Sequence, residues 1–360
     1  MSEATVAGPA SLKEFRFLGR SGLRVSPLSL GTMTFGTENG WGADEIEARR
    51  IFDLYVDRGG NFIDTANVYT RGTSETMLGK FIADKRERVV VATKYSGATE
   101  PGNVNSGGNQ RRNMVRAVEH SLKRLGTDYI DLYYLHAWDG NTPVEEVLRG
   151  FDDLVSSGKI VYVGLSDIPA WQVSRIQAIA ELRGWAPIVA LQIEYSLVER
   201  TVERDLMPMA REMGIGVIPW SPLAGGLLAG SYTRDDLSGT GSTAPGTRKA
   251  SLLAGGKVTE AKLGIAEAVQ SVANDLGRTP SQVALAWTLL DPAVTSTIMG
   301  ARTSEQLEDN LGALGMVLDA GHRQLLDDVS RILKGFPHDF LGSEMLAKAL
   351  SAGETIIARR

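Results

Sequence analysis

Four side chains able to carry a proton stand at or just past the ends of three short apolar runs. Asp64 and Tyr69 lie in NFIDTANVY, Lys94 closes VVVATKY and His136 closes IDLYYLH. Together they suit proton delivery to a carbonyl oxygen. A free phenol has a pKa of about 10 and is a weak acid at neutral pH unless a cation beside it favours the phenolate. Lys94 is the candidate cation and Tyr69 the candidate acid. Asp64 would hold Lys94 and keep it charged, while a neutral His136 would orient the substrate oxygen by a hydrogen bond.

Chemistry at successive strand ends requires strands that run the same way, as in a parallel barrel whose C-terminal rim carries the site. The chain alternates accordingly. EFRFLGRSGLRVS reads as a β-hairpin turning at Arg20-Ser21-Gly22, and LSLGTMTFG as the first barrel strand. A helix is expected over Asp44–Arg58, where Asp44 and Glu47 form a capping-box pattern and Ala48, Ile51, Phe52 and Tyr55 share one face. Further strands are expected over Val89–Lys94, Asp128–His136 and in KIVYVGLSD, IVALQIEYS, GIGVIPWS and AVTSTIM, with helices between them. Thr142-Pro143 with Glu145, and Thr279-Pro280 with Gln282, read as helix starts with proline at the first helical position.

Two loops stand out. SGATEPGNVNSGGNQ, just after Lys94, is rich in Gly and Asn and reads as a loosely ordered substrate-side loop. The stretch from Ser221 to Val258 is too long for a connector within a compact domain, which marks a functional or mobile loop.

Composition narrows the function classes. A formal charge of −5 argues against a general nucleic-acid or anionic-membrane binder, and no run of about 18 apolar residues marks a membrane span. With no cysteine there is no disulfide, thiolate nucleophile or Cys-ligated metal, which fits a cytoplasmic location. The four histidines (His120, His136, His322, His338) are too scattered for a helical metal pair, so no metal site is expected. The expected organisation is a flexible leader over 1–14, one barrel domain over 15–335 and a helical extension over 336–360. The last carries Leu341, Met345 and Ala349, and Leu346 and Leu350, at helical spacing, to pack on the barrel or on another subunit.

From about Phe15 to Leu333 the chain resembles the aldo-keto reductase superfamily. GTMTFG, FIDTANVY, VVVATKY, LHAWD, VGLSD, LQIEYS, IPWSPLAGGLL and GARTSEQLEDNLGA occur in family order. The resemblance implies an α/β fold, a (β/α)8 TIM barrel with an N-terminal hairpin and long rim loops. It also implies NADPH-dependent, reversible reduction of aldehydes and ketones by a tetrad mapping onto Asp64, Tyr69, Lys94 and His136. Cofactor contacts would map onto Gly31, Thr32, Met33, Asp64, Ser166, Asp167, Gln192, Trp220, Ser221, Leu223 and Gly225, with Trp220 stacked on the nicotinamide. Gly300, Arg302, Gln306 and Asn310 fall where the 2′-phosphate and adenine are held, favouring NADPH over NADH. The family usually has Asn where Asp167 stands, and a carboxylate reaches only the NH2 half of the carboxamide.

Phe35, Trp41 and Trp138 fall on loops beside the tetrad and are expected to wall the substrate site, favouring apolar or aromatic carbonyl compounds. Two other functions compete. One is a Schiff-base lyase using Lys94 as nucleophile, which needs a neutral amine. The other is a nicotinamide-binding regulatory subunit with slow turnover. The expected partner is a small-molecule carbonyl or alcohol, with the oligomeric state open.

Overall fold

The computed structural model describes residues 8–238 and 247–354. Strands β1 (Arg16–Phe17) and β2 (Arg24–Val25) pair antiparallel as the expected hairpin. Eight parallel strands follow: β3 (Leu28–Gly31), β4 (Phe62–Asp64), β5 (Val90–Tyr95), β6 (Ile130–Leu135), β7 (Ile160–Ser166), β8 (Ile188–Glu194), β9 (Gly216–Trp220) and β10 (Thr297–Gly300). From β3 to β9 each pairs with the next in sequence, and β10 pairs with β3. Between β9 and β10 the ring is drawn together just ahead of β10, where Val217 N–H donates to Ala293 O at 3.0 Å and Thr295 N–H donates to Val217 O at 2.8 Å. Helices separate the barrel strands, giving a (β/α)8 TIM barrel.

Both faces of this sheet are covered, so its strands read as near-continuous apolar runs. Alternation then decides which residue goes where. Phe62, Val90, Ala92, Leu132, Tyr134, Ala190, Ile218 and Ile298 form the inner cluster, and Leu18 and Val25 of the hairpin plug it from below. Their neighbours Ile63, Val91, Tyr133, Leu165, Leu191 and Met299 face the helices. Continuing the inner parity upward brings Asp64, Lys94, His136, Ser166, Gln192 and Trp220 to the C-terminal mouth. Gly164 makes room beneath them, since a Cβ there would meet the Tyr134 ring at 2.4 Å.

Several local expectations change. The Asp44 side chain caps its helix by accepting from Glu47 N–H at 2.9 Å, but Glu47 does not reach back. Its carboxylate instead accepts from the backbone N–H of Ser304, at 2.6 Å, tying that helix to a distant one. Thr142 is not a helix cap, because its hydroxyl donates to Asp139 at 2.7 Å and the helix runs over Val144–Ser156, with Pro143 just ahead of it. The loop after β5 is well tied: Asn109 N–H donates to the Asp139 carboxylate at 2.8 Å and Asp139 N–H donates back to the Asn109 side-chain oxygen at 2.7 Å. Within 221–258, helical turns run over Ala224–Ala229, Arg234–Ser238 and Arg248–Ala254, so much of it is folded, while 239–246 lie outside the described residues. The helical extension contains two short helices, His338–Leu341 and Glu344–Leu350, with Leu341, Met345 and Leu350 exposed. Residues 1–7 and 355–360 of the expected leader and extension lie outside the described residues.

Candidate active site

Lys94 is the centre of the barrel mouth. Its ammonium is fully buried and donates to Asp64 Oδ1 at 2.5 Å, to Thr65 O at 2.8 Å and to the Tyr69 hydroxyl at 3.2 Å. Tyr69 stands in a helical turn after β4, with its ring edge-to-face on His136 at a centroid distance of 5.7 Å. Strand ends β4, β5 and β6 therefore bring the four expected residues together. Asp64 has a further partner, because Gln192 of β8 donates its side-chain NH2 to Asp64 Oδ2 at 2.8 Å from the opposite side of the barrel.

The electrostatics are set by burial. Burial works against the charge on Lys94, yet the Asp64 carboxylate and the Tyr69 hydroxyl outweigh it and raise the lysine's pKa, so Lys94 remains an ammonium. For Tyr69 the balance runs opposite to the sequence expectation. Burial is the largest effect and holds the phenol's pKa above its usual value even though Lys94 favours the phenolate, so the proton stays on Tyr69. Burial first, and the nearby Lys94 charge second, push His136 down to about 3, which leaves a neutral imidazole. A charged lysine, a protonated phenol and a neutral imidazole thus stand together.

This group closes one end of a cavity of about 770 Å³. Around the inner end stand Gly31, Met33, Asp64, Tyr69, His136, Ser166, Asp167, Gln192 and Trp220. The cavity continues past Ser221, Leu223 and Gly225 to Gly300, Arg302, Gln306 and Asn310. Asp167 has left-handed backbone, φ 44°, which Asp and Asn tolerate better than most residues, and its carboxylate accepts from the Trp220 indole N–H at 3.0 Å. Asp167 is exposed as a residue, yet desolvation of its carboxylate raises its pKa despite the Trp220 hydrogen bond and the Lys94 charge.

Four expected site residues lie elsewhere. Phe35 is fully buried and packs edge-on against Phe81, because the chain after β3 folds back through a bridge between Phe35 and Ala43 and turns the ring into the core. Trp138 leans on the outer hydrophobic cluster, and neither it nor Trp41 borders the cavity. Thr32 is fully buried, with its hydroxyl donating to Asp64 O at 3.0 Å, and braces β4 without bordering the cavity.

The helix Ser304–Leu311 starts beside the outer end of the cavity. Its N-terminal N–H groups are largely taken: Ser304 by Glu47, Gln306 by the Thr303 hydroxyl, and the preceding Arg302 N–H by the Gln306 side chain at 2.9 Å. The Arg302 side chain beside these groups forms no ion pair among the described residues. Two more cavity residues, Tyr232 and Lys249, come from the 221–258 segment. Lys249 pairs with Asp236 at 2.7 Å, and its ammonium lies 5.4 Å from the centre of the Tyr232 ring. No sequence pattern singles out Tyr232; Lys249 is one of three cations of the stretch, with Arg248 and Lys257, that the sequence offers to a phosphate, and the folding of Arg248–Ala254 beside the mouth brings Lys249 to it.

Known proteins agree with this architecture. The profile of the aldo/keto reductase family matches residues 27–331. The chain belongs to that family. An uncharacterized oxidoreductase, YrpG of Bacillus subtilis, is 40% identical over 88% of this chain and 95% of its own length. The norsolorinic acid reductase of Aspergillus flavus is 36% identical, covering 92% of this chain and 85% of that protein. An aryl-alcohol dehydrogenase [NADP(+)] of Phanerodontia chrysosporium is 35% identical, covering 89% and 86%. As an aldo/keto reductase, the chain is related to oxidoreductases along nearly its full length.

Proposed function

We propose that the protein reduces aldehydes and ketones with NADPH, aromatic carbonyl compounds foremost, and catalyses the reverse alcohol oxidation by the same route. The observation that carries this reading is the Lys94 ammonium bound at once to Asp64 and to a phenol that keeps its proton, at the end of a long cavity. NADPH, when bound, supplies a hydride from C4 of its nicotinamide to the carbonyl carbon. Tyr69 gives its proton to the carbonyl oxygen, with Lys94 stabilising the charge that develops on the phenol oxygen. Neutral His136 orients the same oxygen, and Asp64 keeps Lys94 charged and in place.

The cavity suits the cofactor at both ends. Ser166 Oγ is buried beside the inner end without a hydrogen-bond partner, which fits a donor to a carboxamide oxygen. Gln192 has one N–H on Asp64, which leaves its oxygen and its second N–H for a carboxamide. At the outer end Arg302 is available for a 2′-phosphate, with Gln306 and Asn310 beside it. The relative named aryl-alcohol dehydrogenase [NADP(+)] supports both the cofactor and the substrate class, and Met33 and Trp220 supply apolar surface near Tyr69. A cysteine-free chain suits work in the reducing cytoplasm. Among the described residues no helix is long and apolar enough to cross a membrane.

Lys94 does not suit a Schiff base, since its raised pKa leaves little neutral amine near neutral pH. A panel of aliphatic, sugar and aromatic carbonyl compounds, followed by loss of NADPH absorbance, tests the reading. Turnover of aromatic aldehydes is expected; no turnover of any carbonyl compound would overturn it.

A further inference from the structure

The charges around the inner end of the cavity do not cancel. Lys94 carries one positive charge and Asp64 beside it one negative charge, and His136 is neutral. Asp167 adds a second carboxylate on the same end, and the Trp220 N–H that it accepts carries no formal charge to offset it. Its field reaches the reacting groups: Asp167 raises the pKa of Tyr69, and Lys94 acts back on Asp167. Once Asp167 is ionised, these groups sum to one negative charge.

We propose that Asp167 is a positioning residue that favours the oxidised, cationic nicotinamide over the neutral reduced one. The inference rests on the function proposed above, which sets the nicotinamide beside Tyr69. A fixed carboxylate near the ring stabilises the positive charge that appears when hydride leaves. The bound reduced cofactor thereby becomes a better hydride donor, and the oxidised cofactor is held more tightly. An asparagine would hold Trp220 equally well, because its amide oxygen accepts the same hydrogen bond and its backbone tolerates the same left-handed conformation. It would lack the charge.

Asp167→Asn therefore separates charge from shape. Dissociation constants for NADP+ and NADPH are measured by calorimetry on the full chain near neutral pH, for wild type and for this variant. Both cofactors carry the same phosphates, so the ratio Kd(NADPH)/Kd(NADP+) isolates the ring charge. The ratio is expected to fall roughly tenfold in Asp167→Asn. An unchanged ratio with both cofactors still bound would overturn the role of Asp167 while leaving the reductase reading intact. Failure of wild type to bind either cofactor would overturn both.

A second measurement needs no variant at position 167. Lowering the pH through the titration of Asp167 should reduce the wild-type ratio in the same way, and a pH-independent ratio would contradict the proposal. Trp220 and Lys94 act on Asp167, and Asp167 in turn acts on Tyr69 and Glu194. Glu194 also has a raised pKa, from burial first and Glu199 second, so the titration is repeated in Glu194→Gln. Persistence of the fall in that variant assigns it to Asp167, and its loss assigns it to Glu194 and overturns the proposal.

Discussion

Gln192 and Asp64 meet across the mouth of the barrel, amide NH2 to carboxylate, at 2.8 Å. With Lys94 on its other oxygen, Asp64 is held at both ends and cannot turn away from the ammonium. Gln192 is buried, so Gln192→Leu would leave that oxygen, itself on a buried residue, without its partner. The expected loss is about 1–3 kcal/mol of stability, read from the urea midpoint, together with a lower kcat. An unchanged midpoint would show that water or a side-chain shift replaces the bond.

Gly164 and Tyr134 give a prediction about the barrel interior. A methyl group at position 164 would meet the Tyr134 ring at 2.4 Å, within a filled layer of side chains. Gly164→Ala is expected to cost about 1–3 kcal/mol by overpacking, and Tyr134→Leu in the same chain should recover part of it. Equal stability of Gly164→Ala and wild type in thermal unfolding would refute this packing.

His136 makes a signed contribution to the pH dependence of stability. Its folded pKa is about 3 against 6.5 for the free side chain, so between those values the unfolded chain takes up a proton that the folded chain refuses. Its contribution is complete above about 6.5 and is lost progressively as the pH falls toward 3. Denaturant midpoints across that range should fall less steeply for His136→Gln than for wild type. Parallel curves would mean that His136 titrates normally.

Arg302→Ala should weaken NADPH far more than NADH, by roughly tenfold or more, because a guanidinium–phosphate contact is charge-assisted and NADH lacks the 2′-phosphate. Calorimetric binding of both cofactors checks this. Equal losses would move the 2′-phosphate contact to another cation, with Lys249 the next to test.

The barrel is legible in the sequence because its strands are apolar on both faces and end in polar residues of one parity, so Asp64, Lys94 and His136 can be aligned without a structure. Relations between distant segments are not legible in this way. Glu47 and Asp44 look like a local capping pair, yet Glu47 serves Ser304, 257 residues away. Phe35 lies two residues from the cavity-lining Met33, and only the fold-back to Ala43 decides that its ring goes inward. The direction of the Tyr69 shift likewise depends on how deeply its hydroxyl is buried, which spacing does not reveal. Lys94 alone would suggest the opposite sign.

The most direct test is Tyr69→Phe, assayed for reduction of an aromatic aldehyde with NADPH binding measured on the same preparation. The change removes the hydroxyl that Lys94 touches and keeps the ring that rests on His136. The account predicts NADPH binding close to that of wild type and a kcat lowered at least a hundredfold, about 2.7 kcal/mol or more of barrier. Retention of a tenth or more of the wild-type kcat would contradict Tyr69 as the proton donor.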